Sequence, residues 1–144
     1  MRTISRESNG FGIRYCGPKE RSYAPYAAAT ESFAALLNLG RDGVAGLVER
    51  TCRYARMFAQ GLQASGFEIL NPVVLNQVLV SFGTPEMTRA VINRLQAEGI
   101  CWCGGTVWQG RVAMRISVSS WATTETDVQT SLRAMIRAAQ AGVP

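Results

Sequence analysis

The sequence contains no histidine and a single lysine, Lys19, and each absence removes a class of chemistry. Imidazole is the commonest general acid or base near neutral pH and the commonest metal ligand, so neither role has its usual occupant. Ser117, Ser119 and Ser120 offer hydroxyls, but no histidine exists to act as their base and Lys19 is distant in sequence. A conventional serine or cysteine triad is therefore not expected. Long apolar runs are missing as well: the best, "VVLNQVLV", is interrupted by Asn76 and Gln77, which argues against a membrane span. The opening "MRTISRESNG" lacks the apolar core of a secretory signal, so a cytoplasmic protein is the expectation. Cysteine is sparse. Cys16, Cys52, Cys101 and Cys103 do not make the disulfide framework of a secreted mini-protein. Cys101 and Cys103 would share a face of a strand, yet a structural zinc needs two more ligands at compatible spacing, so buried or half-buried free thiols are favoured and no metal site is expected.

What is present fits one globular domain. The chain has 144 residues, 47% hydrophobic and 17% charged, enough for a substantial core and too few for two comfortable domains. Net charge is +5, almost all of it arginine, with a pI near 9.4. Such a balance can signal nucleic acid. The arginines are scattered over the chain rather than massed, which favours a solvated surface.

Periodicity divides the chain. Residues 1–24 mix charges with Gly10, Gly12, Gly17 and Pro18 and read as a loose arm. "PYAAATESFAALLNL" predicts a helix from Pro25 ending at Gly40, "RDG" a turn, and Val44 to Ala64 a second helix with Val44, Val48, Ala55, Phe58 and Leu62 on its inward stripe. Gly66 suits a C-terminal cap. "FEIL" and "VVLNQVLVSF" follow as strands, the second apolar on both faces and so central. Thr84-Pro85-Glu86 starts a helix that runs to Glu98, with Met87, Val91 and Leu95 inward. "CWCGGTVW" and "RVAMRISVS" are strands joined at Gln109-Gly110, and Gly104-Gly105 suggests a bulge or a close backbone approach. Thr123 or Thr124 caps a last helix whose inward residues are Val128, Leu132, Met135 and Ile136. The order αα-ββ-α-ββ-α implies a two-layer α+β sandwich: a mostly antiparallel four-stranded sheet with helices on one face. The expected division is an arm over 1–24, a helical linker over 25–64 and an α+β domain over 65–144.

The last strand carries the sharpest chemical candidate. Val112, Met114, Ile116 and Val118 alternate with Arg111, Ala113, Arg115, Ser117 and Ser119, so one face is for a core and the other is free. Arg115 leaves that free face between two small residues, and a planar fork of donors with room around it suits a carboxylate or phosphate. Pairing with an acid of its own chain, or plain solvation, is the bland alternative, and it is stronger still for Arg111 beside the turn. Trp102, Trp108 and Trp121 could stack bases but more often fill cores and interfaces. By its own residues the chain looks like a binding or substrate-orienting domain.

"ASGFEILNPVVLNQVLVSF" followed by "GICWCGGTVWQGRVAMRISVSSWATTETDV" resembles the C-terminal small domain of pyridoxal-phosphate-dependent group II amino-acid decarboxylases, which have the aspartate-aminotransferase type of fold. "LLNLGRDGVAGLVER" is similar to the long helix that leads into that domain. The resemblance covers roughly Ala35 to Ala138; residues 1–24 match nothing, and "AAATESF" replaces the family's arginine-rich approach. It implies a fragment of an enzyme that removes CO2 from an amino acid as a homodimer, using pyridoxal 5'-phosphate held by a large domain. It also implies that Arg115 approaches a substrate carboxylate. The family's Schiff-base lysine and ring-stacking histidine have no counterparts, so no catalytic or cofactor-binding residue is assigned and the chain alone is expected to be inactive. A domain parted from its enzyme should expose the surfaces meant for its partners, here the Val44–Ala64 helix and the Arg115 face. The alternatives are a free-standing ligand-binding or regulatory module built on Arg115 and, ranked last, a nucleic-acid-binding domain.

Overall fold

Two periods of alternation build the fold, as the sequence implies: strands with one apolar face and helices with one apolar stripe. The computed structural model describes residues 24–142, with side chains from residue 32 onward; the expected N-terminal arm, with Cys16 and Lys19, lies outside the described residues. The elements are α1 (Ala24–Ala64), β1 (Glu68–Ile69), β2 (Gln77–Ser81), α2 (Pro85–Glu98), β3 (Gly104–Trp108), β4 (Arg111–Ser117) and α3 (Glu125–Gln140). The sheet order is β1-β2-β4-β3 with every pairing antiparallel. Val78 and Val80 of β2 and Met114 and Ile116 of β4 point to one side. There they join Phe58 and Leu62 of α1, Val91 and Leu95 of α2, and Val128 and Met135 of α3 in a single core. All three helices therefore lie on one face, and the fold is the expected α+β arrangement.

Local chemistry sets the helix limits. Thr84 accepts from the Met87 amide at 3.2 Å, Pro85 fills the first turn, and Gly99 closes α2 in the left-handed region with its amide on the Leu95 carbonyl. Thr124, not Thr123, caps α3. Its hydroxyl receives the Asp127 amide while the Asp127 carboxylate receives the Thr124 amide, so two orphan donors are satisfied reciprocally. The β3–β4 turn is the expected two-residue hairpin, with Gln109 and Gly110 both at positive φ (48° and 77°).

Five expectations need correction. Arg41-Asp42-Gly43 is helical rather than a turn; the break falls at Gly40, whose φ of 60° and ψ of −174° are open only to glycine. The inward stripe of α1 begins near Thr51, since Val48 is exposed while Ala55, Phe58 and Leu62 are buried. The apolar stretch 73–76 is not strand. The Asn71 side chain ends the β1–β2 ladder at β2, accepting from the Leu79 amide at 2.7 Å and donating to the Gln77 carbonyl at 3.2 Å, and Val74 and Leu75 ahead of β2 are exposed. Finally, Gly104 and Gly105 pair regularly with Arg115 and Met114, with no bulge, and Cys101–Cys103 precede the strand instead of belonging to it.

Candidate functional site

The helix-free face of the sheet is where the chain presents unusual chemistry. Arg111 and Arg115 both emerge there from β4, and their environments differ. Arg111 forms a bidentate pair with Glu68 of β1 (Nη1–Oε1 2.7 Å, Nη2–Oε2 2.5 Å), reaching diagonally across β2. The hydrogen bond from Arg111 holds the Glu68 carboxyl below the usual carboxylate range, and the same bond raises the already high Arg111 value. This is the own-chain pairing anticipated for Arg111, and it commits that guanidinium to the fold.

Arg115 is uncommitted. It is exposed, and among the described residues it makes no hydrogen bond or ion pair. Its ladder partners are Leu79 on β2 and Gly104 on β3. Leu79 is buried and gives an apolar flank; Gly104 has no side chain, and a Cβ placed on it would meet nothing within 4 Å. Along its own strand Ala113 is buried and Ser117 half-buried. The result is a fork of donors with open space on the β3 side, the arrangement bidentate binding of a carboxylate requires.

The remaining candidates, apart from Trp108, separate from this face. None of the three tryptophans joins the core: Trp102, Trp108 and Trp121 are all exposed. Trp102 stands beside Ser119 and Ser120 at a cavity, Trp108 ends β3 opposite Arg111, and Trp121 lies in the loop before α3, where its carbonyl accepts from Arg50 at 3.0 Å. They form no common stacking platform on one strand. Sequence reasoning missed the cavity, which is lined by Cys101, Cys103, Phe58 and Ser131; the spacing of the two cysteines was its only signal. Among the described residues no group of three or more His, Cys, Asp or Glu side chains could hold a metal ion, and no helix is long and apolar enough to cross a membrane.

The fold is shared with one segment of the longer chains of several solved decarboxylases. Oryza sativa TDC, solved with PLP and tryptamine, matches with a TM-score of 0.70 at 18% identity over 74% of this chain and 24% of that one. Catharanthus roseus tryptophan decarboxylase, in complex with L-tryptophan, matches at 0.68 and 19% over 74% and 24%. The glutamate decarboxylase domain of a Vibrio parahaemolyticus diaminobutyrate-pyruvate transaminase and L-2,4-diaminobutyrate decarboxylase matches at 0.58 and 21% over 79% and 26%. The chain spans about a quarter of the length of these solved structures. No family model and no curated protein matches the sequence.

Proposed function

We propose that the chain is the small domain of a pyridoxal-phosphate-dependent amino-acid decarboxylase, in which Arg115 holds a substrate carboxylate against a cofactor-bearing large domain. The observation that carries this reading is the contrast between the two arginines of β4. Arg111 is bound to Glu68, whereas Arg115 stands free beside Gly104, in a fold that matches a segment of about a quarter of the length of each solved decarboxylase chain. Decarboxylation needs the scissile carboxylate held in a fixed direction relative to the cofactor's π system, and a planar guanidinium is suited to fixing a carboxylate. In the whole enzyme the domain closes the active site, residues 25–64 link it to the large domain, and two copies assemble in the cytoplasm.

The described residues do not fit the cofactor itself. They include neither lysine nor histidine, so they offer no covalent anchor and no imidazole to stack on its ring. On this reading pyridoxal phosphate belongs to the large domain, and the contribution of the described residues is orientation. A second reading, a stand-alone carboxylate-binding module, draws on the same free Arg115.

Calorimetry and reconstitution distinguish the two. The chain alone is titrated with amino acids, then mixed with pyridoxal phosphate and a decarboxylase large domain carrying the lysine motif, while CO2 release is followed. The decarboxylase reading expects no heat and no CO2 from the chain alone, and activity on mixing. In the mixture Arg115→Ala lowers kcat/KM by about 10- to 100-fold, the scale of a charge-assisted hydrogen bond. Saturable binding of an amino acid by the chain alone, abolished in Arg115→Ala, would replace the decarboxylase with the module.

A further inference from the structure

Cys101 and Cys103 take no part in the Arg115 face; both are thiols of the core. The residue between them, Trp102, is 46% exposed, while Cys101 and Cys103 are 6% and 2% exposed. The local chain therefore turns both thiols inward and the indole outward. Both sulfur-bearing side chains line one cavity of about 20 Å3 together with Phe58 and Ser131, and residues Ser119 and Ser120 stand at its rim. That volume exceeds the roughly 10–15 Å3 needed for one water-sized molecule. The backbone beneath is pinned, because Gln96 Nε2 donates to the Cys103 carbonyl at 2.9 Å.

We propose that Cys101 and Cys103 form a peroxide-reactive dithiol that closes to a Cys101–Cys103 disulfide. Three features set the order of events. The two thiols line the same cavity, and the proximity of Cys103 draws the Cys101 thiol below the usual range, against burial and with help from Ser131. Cys103 is pushed up by the same proximity and by burial. Cys101 is thus the thiolate and Cys103 the proton donor. The Ser131 hydroxyl donates to the Asp127 carbonyl at 2.8 Å and can rotate to the Cys101 sulfur when that sulfur ionises. The Glu98 carboxylate is the opposing charge at this site, raising Cys101, but it ranks behind the other causes.

The chemistry balances with hydrogen peroxide as oxidant. The Cys101 thiolate attacks one peroxide oxygen, the O–O bond breaks, and the departing hydroxide takes the Cys103 proton and leaves as water. Cys101 is now a sulfenic acid. The Cys103 sulfur attacks the Cys101 sulfur, the S–O bond breaks, and the second hydroxide leaves as water after taking up a proton from solvent, the one Cys101 lost on ionising. Two thiols have lost two electrons and peroxide has gained them. A disulfide between residues two apart tightens the segment that feeds directly into Gly104, so oxidation acts on the neighbourhood of Arg115. The inference does not depend on the decarboxylase reading, since it concerns the core side of the sheet.

The test is peroxide treatment of the folded chain, followed by alkylation under unfolding conditions and mass spectrometry. The expected product is lighter by two hydrogen atoms, with Cys101 and Cys103 protected from alkylation and Cys52, a lone buried thiol, still reactive. Chymotryptic cleavage after Trp102 should leave two peptides joined until reductant is added. In Cys103→Ser, dimedone should capture a sulfenic acid at Cys101; in Cys101→Ser no disulfide forms. Full alkylation of both Cys101 and Cys103 after peroxide, or oxidation that links either of them to Cys16, Cys52 or a second chain instead, would overturn the proposal. Because the unsubstituted chain carries the decisive measurement, misfolding of a serine variant does not rescue or sink it.

Discussion

Gly104 stands directly opposite Arg115 across the β3–β4 ladder, and the space a side chain would occupy there is empty to 4 Å. Filling it should separate stability from binding. Gly104→Val adds a β-branched side chain at a strand position whose φ is not in the glycine-only region, and should stabilise the chain by about 0.5–1 kcal/mol. The same side chain crowds the guanidinium, so the reconstituted enzyme should lose substrate affinity, read as a rise in KM. Urea denaturation and steady-state kinetics check the two halves; an unchanged KM would show that the ligand does not approach from the β3 side.

The Arg111–Glu68 pair predicts a pH effect of defined sign. The Glu68 carboxyl is lowered in the folded chain relative to its ordinary value of 4.5. Its contribution to stability is therefore complete above that ordinary value and is lost as the pH falls through the lower, folded one. Both groups are exposed, so the effect should be small and weaken with added salt. Carbon-detected NMR titration of Glu68 should show its midpoint rising in Arg111→Ala. An identical midpoint in both proteins would mean the pair does not persist in solution.

Phe58 is buried at the meeting of α1 with the sheet and α3. Phe58→Ala should cost about 3–5 kcal/mol through lost burial and a residual cavity. That is a large share of the total stability of a domain this size. A urea midpoint close to that of the unsubstituted chain would imply that the helix does not pack as described.

At the start of α3, Thr124→Ala should cost about 1 kcal/mol. Asp127→Ala removes the other half of the same reciprocal cap, so the double variant should lose less than the two single losses combined. A double-mutant cycle in urea measures this directly, and strict additivity would contradict the reciprocal bonding.

Helices and their ends were the most legible part of the chain. Thr84-Pro85-Glu86, Gly99 and the Thr-Glu-Thr-Asp run before Val128 are local signals that act within one turn, and the structure obeys them. The β4 alternation was equally plain, because parity alone decides which side chains join Met114 and which join Arg115. Legibility failed where a distant or side-chain partner decides the outcome. Residues 73–76 carry strand-forming side chains, but the Asn71 side chain ends the β1–β2 ladder at Gln77, just after them in the chain. Arg41-Asp42-Gly43 looked like a turn, yet the break needs only one glycine at the left of it, Gly40. The exposed surface also moved. Phe33, Leu36 and Leu37, at 62%, 54% and 68% exposure, place the apolar patch on the first half of α1, whereas its Thr51–Ala64 portion is largely occupied by the core. At Arg115 the sequence could supply the direction of the side chain. It could not reveal that Arg111 finds Glu68, a residue 43 positions away, while Arg115 finds no partner among the described residues.

With every helix on one side of the sheet, β4 answers to two separate selective pressures, residue by residue. Met114 and Ile116 are constrained by close packing, where a single methylene is felt. Arg115 and Ser117, their immediate neighbours in sequence, face outward, where most substitutions change stability by no more than about 0.5 kcal/mol. Substitutions at Arg115 and Ser117 can therefore remake the outward face of this strand through alternate codons while the thermal stability of the fold stays nearly constant.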